Sequence, residues 1–237
     1  GVSDKWFMDA FDQKSIIEDS IYNENLDVQI ADIKDANIKA KVVYLNSCLT
    51  GSFHLDNYIA GYYPFSNNQN IVAVANSVGV LQDLWATEMM GLLGNGYRVG
   101  NWLKHIAYLE THILGDPTFY FSAARAKELN EATVLNKSAS YWKKLLQENN
   151  ANLQSLALEK LTAILPEKEV SLILKHYYFN SDFESTRMQA FQLLSQFENQ
   201  EYIEVLHAAK NDSYEYIRRR AVYDLTDFGS DEFVKDL

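Results

Sequence analysis

The feature that most limits how this chain can fold lies in its second half, where an Ala-x-x-x-Leu core recurs at nearly constant spacing. The copies begin at Ala157, Ala190 and Ala221, 33 and 31 residues apart. Each is followed by a second amphipathic segment that opens Glu-apolar, at Glu169-Val170, Glu201-Tyr202 and Glu232-Phe233, spaced by 32 and 31 residues. Two segments repeating in step define a helix pair. One pair cannot bury its apolar face alone, so the pattern predicts a stacked array. The small Ala lets paired helices approach, and the Leu one turn later fills the space between them. Asp212-Ser213 supplies caps before the third unit, and Pro166 marks a turn.

The segment from Asp212 to Gly229, with Arg218-Arg219-Arg220-Ala221-Val222 inside it, resembles a HEAT repeat. The resemblance extends over residues 138–237 and implies an all-α solenoid with a concave, protein-binding face. The array ends on half a repeat and the chain begins on Gly1, both expected of a piece of a longer protein. Residues 124–137 read as a linker or a helix.

Glycine separates this half from the first, because nine of the ten glycines lie at or before Gly115. Residues 1–123 mix short β-branched runs with turns and helical patterns, and predict an α/β domain. Residues 41–45 (KVVYL) and 71–75 (IVAVA) are apolar runs of the kind that form central strands covered on both faces. They end in the similar polar pairs Asn46-Ser47 and Asn76-Ser77. In open α/β sheets ligands bind beyond the carboxyl ends of the strands, so these pairs mark the expected site.

The formal net charge of −11 argues against a nucleic-acid groove or an anionic membrane surface as partner. The apolar runs fall far short of the roughly 20 residues of a membrane span. Cys48 is the single cysteine, which excludes an intramolecular disulfide and a multi-cysteine metal site. No zinc spacing of histidines exists, and no metal or other cofactor is expected.

Cys48 follows the first strand directly and precedes Gly51. A nucleophile at such a strand end faces the crevice, where neighbouring backbone N–H groups can stabilise a developing oxyanion. A buried structural thiol is the commoner reading of position alone. The run Asn46-Ser47-Cys48-Leu49-Thr50-Gly51-Ser52-Phe53, with Tyr58-Ile59-Ala60, Val72-Ala73-Val74-Ala75-Asn76-Ser77 and Ile113-Leu114-Gly115-Asp116-Pro117-Thr118-Phe119, resembles the gingipain-type cysteine peptidases over residues 6–121.

That resemblance implies a caspase-like, three-layer α/β fold, peptide bonds as substrate, and a bacterial envelope or extracellular location. It places Cys48 at the nucleophile position, its backbone N–H helping to form the oxyanion hole, while Asn76 and Ser77, at the next strand end, are the expected substrate-side wall. The family's upstream His-Gly pair is missing. Asp9-Ala10 stands in its place, and a carboxylate cannot act as the imidazolium partner. The expectation is therefore a degenerate or incomplete peptidase-like domain joined to a protein-binding array. Its alternatives are a non-catalytic scaffold or interaction module, and a regulatory subunit whose repeats restrain a peptidase.

Other motifs read as structure. His54 reads as a surface residue and His112 as part of a strand-like run. Asp116 before Pro117 is a turn former. The glycines of residues 94–100 lack the Lys-Ser/Thr of a phosphate loop and follow a helical pattern over residues 85–93, so they read as a turn between helices. Arg218, Arg219 and Arg220 read as a helix face paired with neighbouring acids.

Overall fold

The computed structural model describes Met8 and residues 11–66, 69–80, 89–106 and 110–228, with backbone alone for Ile106, Asp227 and Phe228. Asp9 and the Glu232-Phe233 opening lie outside the described residues, as does part of the 85–93 pattern. The chain divides into two compact units, Gly1–Ala86 with Val99–Phe119, and Thr87–Arg98 with Tyr120–Leu237.

Among the described residues the first unit holds three strands, β1 (Val42–Leu45), β2 (Val72–Asn76) and β3 (Thr111–Gly115), in the order β1-β2-β3. β1 and β2 run parallel, while β3 returns antiparallel to β2. All five residues of β2 are buried, as its apolar run implies. β1 departs from expectation. Its four residues are only half-buried, because among the described strands β2 alone has a neighbour on each side.

The pleat sorts side chains onto two faces. Ala73, Ala75 and Leu114 share one face with buried Ala60, and Leu45, Tyr58 and Tyr63 pack around them. This face lies under the 3₁₀ turn Ile59–Tyr62. On the other, Tyr44 meets the buried ring of Trp102 edge-on at 5.6 Å, which places helix α3 (Val99–Ile106) there. Of the two helices described over residues 11–66, α1 (Gln13–Leu26) buries none of its residues. The shorter α2 (Ile30–Asp35) buries Ile33 against the 3₁₀ turn and lays the Lys34 ammonium over the Tyr62 ring at 4.6 Å. The Asp116 turn forms as read, its carboxylate accepting from the Thr118 N–H at 2.8 Å and hydroxyl at 2.7 Å.

The second unit is helical. The 3₁₀ helix Met90–Asn95 leads through Gly96, at φ +77°, so the glycine run is a turn. Residues 126–135 form helix α4 (Ala126–Leu135). Then come α5 (Ala139–Leu145), α6 (Ala151–Ile164), α7 (Glu167–Asn180), α8 (Glu184–Leu194), α9 (Gln200–Ala209) and α10 (Glu215–Phe228). Successive helices pair, and alternate helices stack: α6 on α8, α8 on α10, and α7 on α9.

The repeated residues form the core of that stack. Ala157, Ala190 and Ala221 are each 0% exposed, and Leu161, Leu194 and Leu225 no more than 3%. Each such Leu contributes about 2 kcal/mol by leaving water. Charged side chains cross the solvent-facing edges, with Lys143 to Glu169 at 2.7 Å and Lys175 to Glu204 joining successive second helices.

Candidate functional site

The chain leaves β1 at Leu45 and turns sharply, and Cys48 stands exposed on that turn. The buried-thiol alternative is thereby set aside. Leu49 follows at φ 61°, a left-handed conformation that costs a residue with a Cβ about 1–2 kcal/mol. That strain is held in place by the end of β2. Leu49 N–H donates to the Val78 carbonyl at 3.2 Å, and Gly51 N–H to the Asn76 carbonyl at 2.8 Å. Gly51 lies so close to β2 that a Cβ there would meet the Ala75 carbonyl carbon at 2.9 Å, so the site requires glycine.

Side chains complete the attachment. Buried Ser52 donates its hydroxyl to the Leu49 carbonyl at 2.9 Å and lies 3.2 Å from that of Ser77. Thr50 donates to the Ser47 carbonyl at 3.1 Å. Asn76 is 2% exposed, and both ends of its amide are engaged, Nδ2 donating to the Ser47 carbonyl at 3.3 Å and Oδ1 accepting from Thr111 Oγ1 at 2.7 Å. Asn76 thus holds the turn in position and offers no free amide to a ligand.

The thiol touches the segment beyond β2. Val80 N–H donates to Cys48 Sγ at 3.2 Å, and Sγ lies 3.7 Å from the Val80 carbonyl oxygen. Among the described residues, the Cys48 N–H has no hydrogen-bond acceptor. An exposed sulfur and an uncommitted N–H therefore occur on one residue, at the carboxyl end of a parallel strand. This is the pair of groups that nucleophilic attack on a carbonyl uses, one to attack and one to receive the oxyanion.

Ser77 is half-buried at the end of β2, its Oγ 2.8 Å from His112 Nε2 and 3.3 Å from the Glu110 carbonyl oxygen. The register opposes Ala75 to His112 on one side and to Leu45 on the other, so this imidazole shares a face with both. Phe53 closes over it edge-on, ring centroids 4.7 Å apart. The fold thus gathers Cys48, Asn76 and Ser77 at one end of the sheet, as read from the polar pairs. Ser52, Phe53 and the Val80 main chain join them, and sequence reasoning did not single these out. The nearest signal was the strand-like run at His112, whose partner is set by antiparallel register. His54 is exposed.

Among the described residues, no three of His, Cys, Asp and Glu gather closely enough to hold a metal ion, and no helix is long and apolar enough to cross a membrane. The arginine cluster is consumed internally. Arg218 donates to the Asp212 and Ser213 carbonyls at 2.7 and 2.9 Å, and Arg220 pairs with Asp224 at 2.7 Å.

No protein-family model matches the chain, and neither a curated protein nor a solved structure shows significant similarity to it.

Proposed function

We propose that the first unit is a gingipain-like cysteine-peptidase domain of caspase-like fold. Cys48 stands at the nucleophile position, and the chain acts as a peptide- or protein-binding module without turnover of its own. The observation that carries the reading is the exposed Cys48 thiol at the carboxyl end of β1, beside the carboxyl end of its parallel neighbour β2. In a competent relative, the thiolate would attack the peptide carbonyl while an imidazolium protonated the leaving amine, and water would then cleave the thioester. Asp9 occupies the sequence position of that imidazole and cannot serve as such a proton donor.

The second unit fits a HEAT-like array that presents a protein-binding surface. Its buried Ala and Leu layers and alternating helix contacts support this assignment. The gingipain resemblance of the first unit points to the envelope or exterior of a bacterial cell.

The test uses a fluorogenic peptide panel and a peptidyl chloromethyl ketone on the chain and on Cys48→Ala. Peptide hydrolysis should be the same for both, while Cys48 reacts at least tenfold faster with the peptidyl reagent than with iodoacetamide. Hydrolysis abolished by Cys48→Ala would make the chain a working peptidase. Equal rates with the two reagents would remove the peptide site.

A further inference from the structure

The second unit carries a cleft of about 320 Å³ along α4, with Arg98 in its lining. Its floor is fixed by buried Asn130, whose Oδ1 accepts the Arg98 N–H at 2.9 Å. The Asn130 Nδ2 donates to the Gly96 and Ala126 carbonyls at 2.8 and 2.7 Å. At Gly96 a Cβ would fall 2.5 Å from that of Ala126, so the loop bearing Arg98 lies tightly against the helix. A cleft formed before its ligand arrives loses little to ordering on binding.

Its walls are apolar and left in water, with Tyr120 46%, Val134 66% and Leu135 75% exposed. The charges are unbalanced. Arg125, Arg187 and Arg220 each hold a carboxylate, whereas among the described residues the Arg98 guanidinium makes no ion pair or hydrogen bond. Lys127 faces Glu131 at 4.0 Å, so the cleft retains one uncompensated positive charge in a chain whose formal charge is −11. A guanidinium fork matches a carboxylate, and apolar walls beside it match an apolar side chain attached to that carboxylate.

We infer that this cleft binds the C-terminal end of a peptide whose last residue is apolar. The terminal carboxylate meets Arg98, and the last side chain lies against Tyr120, Val134 and Leu135. Glu131, also in the lining, accepts from a peptide N–H. That acceptor favours a peptide end over a free apolar acid.

Fluorescence anisotropy tests this on the full chain, with fluorescein-labelled Gly-Ser-Gly-Ala-Leu as the free acid and as the C-terminal amide. The acid should bind about tenfold or more tighter than the amide, as expected for a charge-assisted bond. Arg98→Gln should erase the preference, and Leu135→Ser should weaken the acid severalfold. Both side chains are exposed, and circular dichroism checks that the variants fold. Arg98→Lys keeps the charge without the fork and should fall between the parent and Arg98→Gln. Equal binding of acid and amide, a preference that survives Arg98→Gln, or no binding of the acid at millimolar concentration would overturn the proposal. Displacement by 4-methylpentanoate at the peptide's own affinity would overturn the choice of a peptide.

Discussion

The Cys48 turn and the helical array are held by different chemistry. Around Cys48 the attachments are neutral, consisting of main-chain bonds from Leu49 and Gly51 and the hydroxyls and amide of Ser52, Thr50 and Asn76. In the array, charge joins helices beside their apolar core. Arg187 of α8 grips Asp212 with Nη2 at 3.0 Å and Nε at 3.3 Å, its other Nη donates to the Ser181 carbonyl at 3.2 Å, and Asp212 accepts from the Tyr214 N–H at 2.8 Å. A turn held by neutral groups in a strained conformation keeps its shape through a wide range of acidity and salt. An array held by a nearly buried ion pair responds to both acidity and the loss of either partner.

Removing one side of that pair tests the contrast most severely. Arg187 and Asp212 side chains are 13% and 7% exposed, so Arg187→Ala strands a carboxylate and should cost about 3–5 kcal/mol in urea unfolding followed by helical circular dichroism. Acidity should act through the same pair. Burial raises the Asp212 pKa, but the Arg187 hydrogen bonds and the Tyr214 N–H outweigh it and leave the carboxyl below its ordinary value. Its stabilisation is therefore full above the unfolded carboxyl's pKa of about 3.9 and is lost as pH falls through the lower folded value. An acid titration of helicity in the parent should show this loss, and the Arg187→Ala titration should lack it.

Gly51→Ala carries the comparison into the sheet unit, where a Cβ must displace the β2 backbone. A loss of about 1–3 kcal/mol is expected, with a changed rate of Cys48 alkylation and unchanged amide exchange in α6 and α8. Altered exchange there would break the contrast. Leu49→Val puts a β-branched residue at positive φ and should cost about 1 kcal/mol, again read by alkylation of Cys48. The smallest effect belongs to the solvent-facing pairs. Lys143 and Glu169 are 46% and 48% exposed, so Lys143→Ala should change stability by less than about 1 kcal/mol and less still at high salt.

How much could be read in advance follows the same division. The helical half was legible because its Ala and Leu positions, one turn apart within each copy, recur every 31–33 residues. Both parallel strands were legible as apolar runs, although their composition could not separate edge from centre. The polar pairs that end them look alike but do different work, since Asn46 and Ser47 are exposed whereas Asn76 is buried and bonded on both sides. Contacts between residues distant in sequence were hidden. Ser77 meets His112 across 35 positions, Arg98 meets Asn130 across 32, and Arg187 meets Asp212 across 25. Each depends on a register or a helix packing that no local pattern encodes.

The exposed sulfur of Cys48 also sets a rule of stoichiometry. Within residues 1–237 Cys48 has no cysteine to pair with, so a disulfide between two copies of this segment can form only as a symmetric Cys48–Cys48 link, one bond per pair.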